Sequence, residues 1–151
     1  MTYRDLDPKD LQVSYSYNPE TGEITHNGRT VGHGSGRYMA VRANTFMVKS
    51  HLLAWALMTG SWPLISVDHI NRDGCDNRWE NLRLATPSQQ QANRRVYSKS
   101  GVRGVSWYRG KWVAHVGCNG KNKYLGRFNT KEAAGAAVEK ERQRIWGEFA
   151  A

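Results

Sequence analysis

The order of the elements predicted between residues 64 and 95 limits the fold of this chain more than any other feature. Two short strands, residues 65–70 and 81–84, are separated by an Asn-Arg-Asp-Gly turn and a polar loop. Thr86 and Pro87 then begin a helix, with Thr as the N-cap and Pro in the first helical position. Strand, loop, strand and helix in this order predict a ββα unit.

The residues before this unit predict two hairpins and one helix. Turns at residues 18–22 and 43–44 each join two short strands. A helix capped by Ser50 is predicted over residues 51–58, and Gly60 ends it. The N-terminal part of the chain therefore leads into the ββα unit through small sheets.

The C-terminal residues predict a second small fold that is complete in itself. Three short β segments, residues 104–108, 112–117 and 123–128, follow a linker at residues 98–101. A helix begins at Asn129, with a glutamate three residues later as its capping partner. The pattern predicts a three-stranded antiparallel sheet packed on one helix.

Alternation along these β segments assigns their side chains to two faces. We expect Val105, Val113 and Leu125 to face the helix. Ser106 and Tyr108 would then share the opposite face, which is open to a partner.

The formal net charge of +9 is concentrated in one segment. No acidic residue lies between Glu80 and Glu132, whereas 11 of the 22 basic residues do: Arg83, Arg94, Arg95, Lys99, Arg103, Arg109, Lys111, Lys121, Lys123, Arg127 and Lys131. Aromatic side chains are interleaved with them: Tyr97, Trp107, Tyr108, Trp112 and Tyr124. Such a segment is typical of a surface that binds a polyanion. A membrane surface fits less well, because the segment contains no basic amphipathic helix.

The rest of the composition excludes several classes of protein. No apolar run approaches the length that crosses a bilayer, and the N-terminus carries no signal-peptide pattern, so we expect a cytoplasmic protein. Cys75 and Cys118 are far apart, which predicts free thiols rather than a zinc site or a disulfide framework. Any metal ion would therefore be held by oxygen and imidazole ligands.

The ββα unit carries a specific set of polar residues. They occur in the runs Val67-Asp68-His69-Ile70, Asp76-Asn77-Arg78 and Asn81-Leu82-Arg83, which precede the capped helix. Together with His51-Leu-Leu-Ala-Trp55 upstream, these runs resemble the HNH endonucleases, a ββα-metal family, and in particular its phage and homing-type members. The resemblance implies a nuclease that hydrolyses a phosphodiester bond of DNA.

The resemblance also implies a role for each matching residue. His69 is the general base, Asp68 is a metal ligand, and Asn81 bonds the other nitrogen of His69 and fixes its tautomer. Carboxylate and amide oxygens suit Mg²⁺ or Mn²⁺. Gln90 stands where the family has an Asn or His as second ligand, and we take it as that ligand, with Asn93 as the alternative. Leu52 also departs from the pattern, since many relatives have Arg there.

The C-terminal motifs resemble the APETALA2-like DNA-binding domain. They are Arg103-Gly-Val105, Gly110-Lys-Trp-Val-Ala114, Leu125-Gly126, Phe128-Asn-Thr130 and Glu132-Ala-Ala134. In that family the sheet lies in the major groove of DNA, which implies contacts from this sheet and from the basic residues before it. The predicted DNA-binding residues are Arg94, Arg95, Arg103, Ser106, Tyr108, Arg109, Lys111 and Trp112.

We therefore predict an α+β chain of two domains. Residues 1–97 would form a ββα-metal nuclease core with N-terminal hairpins, and residues 98–151 the APETALA2-like domain. The predicted function is metal-dependent cleavage of double-stranded DNA by a homing-type enzyme of a phage or bacterium, without an obligate protein partner. The alternative is an HNH-derived DNA-binding protein with weakened or lost catalysis, acting as a repressor or accessory factor, because Gln90 departs from the family pattern.

Overall fold

The structure, a computed structural model, describes residues 1–94, 98–118 and 120–150. Helices and small antiparallel sheets are mixed along the chain, so the α+β class is confirmed. The chain divides into two compact units, Met1–Thr86 and Pro87–Ala151. The domain boundary is predicted between residues 97 and 98. Residues 95–97 lie outside the described residues, so this boundary stays a prediction.

The first unit contains three sheets and two helices. Its strands are β1 (Tyr15–Tyr17), β2 (Ile24–His26), β3 (Arg29–Val31), β4 (His33–Ser35), β5 (Tyr38–Ala43), β6 (Phe46–Lys49), β7 (Ser66–His69) and β8 (Leu82–Ala85). Its helices are α1 (Pro8–Leu11) and α2 (Ser50–Thr59). Strands β1, β2 and β3 form one antiparallel sheet, β4, β5 and β6 a second, and β7 and β8 a third. Each predicted N-terminal hairpin is thus part of a three-stranded sheet.

Helix α2 is the central element of the first unit. Leu53, Ala54 and Ala56 are fully buried, in a core that also contains Ile24, Val41, Val48, Val67 and Leu82. Burying a leucine of this kind stabilises the fold by about 1.5–3 kcal/mol. The helix ends where predicted, because Gly60 adopts a left-handed conformation (φ 71°) and its N–H bonds the carbonyl of Ala56. Its packing against β5, β6 and β7 fixes the first turn of α2 close to the end of β7.

The second unit is a three-stranded sheet with a helix on one side. Its elements are α3 (Pro87–Ala92), β9 (Val105–Tyr108), β10 (Lys111–Cys118), β11 (Lys121–Phe128) and α4 (Lys131–Trp146). The sheet has the antiparallel order β11-β10-β9, and α4 packs on it around the buried residues Val105, Ala114, Val116, Ala134 and Val138. The predicted three-stranded sheet on one helix is therefore present.

Helix α3 is held within the second unit by side chains from its other elements. The guanidinium of Arg142 donates to the carbonyl of Ala92 (2.9 Å), and Arg103 donates to the same carbonyl. The indole Nε1 of Trp146 donates to the hydroxyl of Ser88 (3.2 Å). These bonds satisfy a carbonyl at the end of α3 that the short helix leaves without an intrahelical partner.

Two predicted helix caps are wrong. Lys49, not Ser50, is the N-cap of α2, and it makes no side-chain capping bond. Thr130, not Asn129, caps α4, because its hydroxyl accepts a hydrogen bond from the N–H of Ala133 (3.2 Å). In both cases the error is one residue, since sequence patterns locate helix ends only approximately.

The two cysteines, Cys75 and Cys118, are free thiols, as predicted. Among the described residues, no helix combines the length and the apolar character needed to span a bilayer.

Candidate active site

Strand β7 places two of the predicted site residues on opposite faces. Its burial alternates, so that Val67 and His69 are buried while Asp68 is only half-buried. In the antiparallel register Asp68 lies opposite Arg83 and His69 opposite Leu82. The period of two along a strand explains this separation of two adjacent residues.

A polar loop connects β7 to β8, and Asn81 holds its two ends together. The side-chain oxygen of Asn81 accepts from the backbone N–H of Asn71 (2.9 Å). Its Nδ2 donates to Oδ1 of Asn71 (3.0 Å) and to the carbonyl of Asp76 (2.7 Å). Asn81 is buried, and these bonds account for both ends of its amide.

Asn77, rather than Asn81, makes the hydrogen bond to the imidazole of His69. Oδ1 of Asn77 lies 3.2 Å from Nε2 of His69, and both side chains are buried. None of the hydrogen bonds of Asn81 to described residues reaches that ring. The predicted hydrogen bond between Asn81 and His69 is therefore wrong. The amide of Asn81 bonds other groups of the loop, and the loop places Asn77 against the ring of His69 instead.

The amide of Asn77 also defines the tautomer of His69. Nδ2 of Asn77 donates to the carbonyl of Cys75 (3.2 Å), so that Oδ1 is the atom that faces His69. An amide oxygen only accepts, and Nε2 of His69 must therefore carry the proton. Nδ1 of His69 keeps its lone pair, as a general base requires.

The loop around Asn77 is braced by the N-terminal strands. The hydroxyl of Tyr17 donates to the carbonyl of Asn77 (2.7 Å), and burial, followed by the charge of Asp76, raises the pKa of Tyr17 to about 12. Gly22 has φ 77°, and a Cβ there would lie 2.6 Å from the carbonyl carbon of Asn77. Only glycine fits this position, because both its conformation and its closeness to the loop exclude a side chain.

A carboxylate and a guanidinium stabilise the exposed side of the same loop. Arg78 donates to both oxygens of Asp76 at 2.9 Å, and its other terminal nitrogen donates to Glu80 at 2.7 Å. The hydrogen bonds from Arg78 lower the pKa of Asp76 to about 2. Asp76 is therefore ionised at neutral pH and committed to the loop.

Burial lowers the pKa of His69. The hydrogen bond to Asn77 and the charges of three nearby aspartates, Asp68 among them, oppose this effect without reversing it. His69 is therefore neutral at physiological pH, which is the protonation state that can accept a proton.

The rings of His51 and Tyr38 both contact the ring of His69, and the sequence analysis did not predict this cluster. The ring centroid of His51 lies 4.9 Å from that of His69, at an interplanar angle of 85°. The ring of Tyr38 lies 5.3 Å from His51 and 5.9 Å from His69, and Nζ of Lys49 lies 4.6 Å from the centroid of Tyr38. The signal in the sequence was His51, which had been used for the family resemblance but had no assigned role.

The predicted metal ligands belong to different units. Asp68, in β7, forms an ion pair with Arg83 (3.4 Å), and Gln90 lies half-buried on α3 of the second unit. The alternative, Asn93, is buried just after α3. Within the described part of the chain, no group of three or more His, Cys, Asp or Glu side chains is arranged to hold a metal ion.

The predicted DNA-binding residues of the second unit do not share one face. Ser106, Tyr108 and Arg109 are exposed, as are Arg94 and Lys111, whereas Arg103 is half-buried and donates to Ala92. Arg95 lies outside the described residues. Trp112 packs against the core beneath α4, with its ring 5.0 Å from that of Trp107. By strand alternation it lies on the face opposite to Ser106, because its cross-strand partner is Trp107.

The sheet face opposite α4 carries exposed basic and aromatic side chains. Ala114, not Val113, is the strand neighbour of Val105 in the core, so that Val113 pairs with Ser106 and with Arg127. The prediction that Val113 faces the helix is therefore not supported, since the register turns it the other way. Arg127 donates to the backbone carbonyls of the turn between β9 and β10, at 3.4 and 3.1 Å.

The exposed rings of this face are close to further polar groups. The guanidinium of Arg109 lies 5.2 Å from the ring centroid of Tyr108, whose side chain is 55% exposed. The rings of His115 and Tyr124 lie 5.4 Å apart on paired positions of β10 and β11. Planar rings and guanidinium groups on one exposed sheet are suited to nucleic-acid contacts.

Comparison with known proteins agrees with the first of the two resemblances. Residues 48–92 match the model of the HNH endonuclease family, so the chain carries an HNH endonuclease domain over those residues. The region contains α2, β7, β8 and α3. An HNH endonuclease of Acanthamoeba polyphaga mimivirus, named as uncharacterized, is 38% identical over 88 residues, which are 58% of this chain and 46% of that protein. The chain thus spans less than half the length of this relative.

A second relative also comes from a virus. Protein 3.8 of Escherichia phage T7 is 27% identical over 107 residues, which are 68% of this chain and 88% of that protein. No solved structure matches the chain significantly. The HNH endonuclease family suggests nuclease activity on DNA.

Proposed function

We propose that the chain is a metal-dependent endonuclease that nicks double-stranded DNA, of the homing type, in the cytoplasm of a bacterial or phage-infected cell. The observation that carries the proposal is the hydrogen bond of 3.2 Å between Asn77 and Nε2 of His69. It leaves Nδ1 of a buried, neutral imidazole as a proton acceptor, at the position where the HNH resemblance requires the general base.

His69 acts on the water that attacks the phosphate. Nδ1 of His69 takes one proton of this water while the water oxygen bonds to phosphorus, and the bond from phosphorus to the leaving sugar oxygen breaks. The imidazolium that forms is stabilised by the nearby carboxylate of Asp68, whose charge favours the protonated ring. General-base catalysis of this kind contributes about 10²–10⁴-fold to the rate.

A divalent cation is assigned to Asp68 and Gln90. Both residues offer oxygen ligands, and Mg²⁺ or Mn²⁺ accepts such ligands together with water and phosphate oxygens. The ion would stabilise the negative charge that develops on the leaving oxygen. Asp68 also forms an ion pair with Arg83 at 3.4 Å.

The C-terminal unit is assigned to binding the duplex as an APETALA2-like domain. Support comes from the three-stranded sheet with α4 on one side and from the exposed Tyr108, Arg109 and Lys111 on the turn between β9 and β10. Trp112 is left out of this surface because it packs under α4. Electrostatic contacts with phosphates bring the chain to DNA, and base contacts by the exposed sheet select the site.

Nicking of a supercoiled plasmid tests the proposed activity. The full chain is incubated with Mg²⁺, with Mn²⁺ and with EDTA, and nicked and linear products are separated on a gel. Cleavage is expected only with a metal ion. His69→Ala should cut about 10²–10⁴-fold more slowly, because the proton acceptor is lost.

His33→Ala is the matched control, because His33 is exposed and far in sequence from the site. It should cut like the parent chain, and all three proteins should bind DNA equally in a gel shift with EDTA. Cleavage by His69→Ala at the parent rate would contradict the assignment of the base. DNA binding without any metal-dependent cleavage would favour the alternative of a DNA-binding protein with lost catalysis.

The DNA-binding surface is tested separately, by the salt dependence of binding. If Arg109 and Lys111 contact phosphates, replacing both with glutamine should reduce the slope of log K against log salt by about 1.8, or 0.9 per contact. The same exchange at Arg4 and Lys9, in the first unit, is the charge-matched control. An equal reduction in both variants would contradict the assignment of the C-terminal surface.

A further inference from the structure

Lys49 carries a positive charge on the exposed side of the cluster formed by the rings of Tyr38, His51 and His69. Its side chain is exposed, and its ammonium forms no ion pair and no hydrogen bond with any of the described residues. Nζ lies instead 4.6 Å from the ring centroid of Tyr38. A cation–π contact at an exposed site contributes only about 0.5–1 kcal/mol. The ammonium therefore remains available to an anion.

The ring of Tyr38 connects this ammonium to the proposed base. It packs against Gly74 in the loop between β7 and β8, where a Cβ would lie 2.6 Å from Cδ1 of Tyr38. Its centroid lies 5.9 Å from that of His69, so Nζ of Lys49 is within about 10.5 Å of the centre of the His69 ring, the sum of the two distances. Burial, followed by the charges of His69 and Lys49, lowers the pKa of His51 to about 3. The charge of Lys49 thus acts inside the cluster.

The other charges around His69 give a phosphate a reason to contact Lys49. Burial lowers the pKa of His69, and the charges of three nearby aspartates oppose this shift, so three carboxylates lie close to the ring. The guanidinium groups of Arg83 and Arg78 are each paired with one of these carboxylates. A phosphodiester is itself an anion, and carboxylate charge repels it. The ammonium of Lys49 offsets this repulsion on the side of the base.

We propose that Lys49 binds the phosphate that is cut: its ammonium, held on the ring of Tyr38, donates to a non-bridging oxygen while His69 takes the proton of the attacking water. This inference rests on the proposed function of His69 as the base. The distance suits one reacting group, with a phosphate oxygen about 2.8 Å from Nζ and the water about 2.8 Å from Nδ1 of His69. Lys49 keeps its proton throughout. Its charge stabilises the negative charge that grows on the phosphate oxygens as the water oxygen bonds to phosphorus.

The proposed contact differs in place and in effect from the cation assigned to Asp68 and Gln90. That ion is assigned to the leaving oxygen, whereas Lys49 acts on a non-bridging oxygen on the side of His69. Asp68 and His69 point to opposite faces of β7, so the two positive charges would act on the phosphate from two sides. Loss of Lys49 should therefore slow the chemical step without changing the Mg²⁺ concentration that gives half the maximal rate.

Three variants separate the charge of Lys49 from its other properties. Lys49→Gln removes the charge, Lys49→Arg keeps it, and Lys9→Gln removes the charge of an exposed lysine in α1 as the matched control. Single-turnover cleavage at saturating DNA should be about 10²-fold slower in Lys49→Gln, as expected when one donor to a developing oxyanion is lost. Lys49→Arg should restore most of the rate, and Lys9→Gln should cut like the parent chain. All four proteins should unfold at similar urea concentrations, because both lysines are exposed.

Binding of a short DNA duplex in EDTA gives a second readout that does not depend on cleavage. Lys49→Gln should reduce the slope of log K against log salt by about 0.9, the value for one phosphate contact. Lys49→Arg and Lys9→Gln should keep the parent slope. An unchanged slope in Lys49→Gln would overturn the inference, as would a cleavage rate within twofold of the parent. If the parent chain itself does not cleave DNA, the proposed function fails, and the slope alone decides whether Lys49 contacts a phosphate.

Discussion

Replacing Asn77 with alanine tests which asparagine orients the imidazole of His69, the proposed base. The change removes the acceptor that lies 3.2 Å from Nε2 of His69 and the donor that lies 3.2 Å from the carbonyl of Cys75. Removing the partner of a buried polar group costs about 1–3 kcal/mol, which we expect as the loss in the free energy of unfolding. Because the change acts on the tautomer of His69, cleavage should slow by about 10–100-fold.

Asn81→Ala is the matched comparison, because the two residue types are the same and both side chains are buried. It removes three hydrogen bonds, to the N–H and Oδ1 of Asn71 and to the carbonyl of Asp76. At about 1 kcal/mol each, the free energy of unfolding should fall by about 3 kcal/mol. Asn81→Ala should thus be the less stable variant, while Asn77→Ala has the larger effect on His69.

The assay combines urea denaturation, single-turnover cleavage and the NMR spectrum of the His69 ring. Asn77→Ala should change the ring spectrum in a protein that is still folded, because the proton on Nε2 loses its acceptor. Asn81→Ala should leave that spectrum close to the parent as long as the chain is folded. The reasoning is refuted if Asn81→Ala alters the spectrum and Asn77→Ala does not, since Asn81 would then be the residue that orients His69.

Three further predictions concern the packing, the acid stability and the metal site. Gly74→Ala places a Cβ 2.6 Å from the ring of Tyr38 and should lower the free energy of unfolding by about 1–3 kcal/mol. Gly34→Ala is the control and should leave the stability unchanged, because its Cβ would have no atom within 4 Å. Equal urea midpoints for the two variants would contradict this prediction. In the folded chain the pKa of His51 is lowered from 6.5 to about 3. Between these two pH values the unfolded chain binds a proton at His51 and the folded chain does not. The free energy of unfolding should therefore drop by about 2 kcal/mol between pH 6.5 and pH 5, at about 1.36 kcal/mol per pH unit. In His51→Phe the drop should be smaller. Parallel pH profiles of the two proteins would exclude His51 as the cause. Gln90→Asn should raise the rate of Mg²⁺-dependent cleavage, because the shorter side chain matches the family pattern and Mg²⁺ requires ligands at about 2.0–2.1 Å. Identical cleavage rates of the two proteins across a Mg²⁺ titration would exclude Gln90 as a ligand. Asn93 would then be the candidate.

Local chemistry explains why much of the fold could be predicted from the sequence. The end of α2 at Gly60, the start of α3 at Pro87 and the turns between short strands depend on residues that are adjacent in the chain. Glycine, proline and asparagine limit the backbone by themselves, whatever surrounds them. The separation of Asp68 from His69 followed in the same way, from the period of two in a strand.

The third strands of the N-terminal sheets, β3 and β4, were not predicted, although each forms a tight hairpin with its neighbour and Asn27-Gly28 between β2 and β3 is a local hairpin signal. Features that depend on packing could not be predicted. The register of β9 and β10 decided that Trp112 packs beneath α4 and that Val113 does not. A shift of one residue exchanges the two faces of a strand, and alternation alone does not set the register.

The candidate site shows the same division. The sequence by itself indicated which residues suit the proposed chemistry, because imidazole, carboxylate and amide groups can move a proton or hold a metal ion. Only the tertiary structure decided that Asn77 rather than Asn81 bonds His69, and that His51 lies against the same ring. The bond to Asn77 depends on how the loop between β7 and β8 closes, and the contact with His51 on how α2 packs against β7. Both are consequences of chain closure and core packing, which no local pattern encodes.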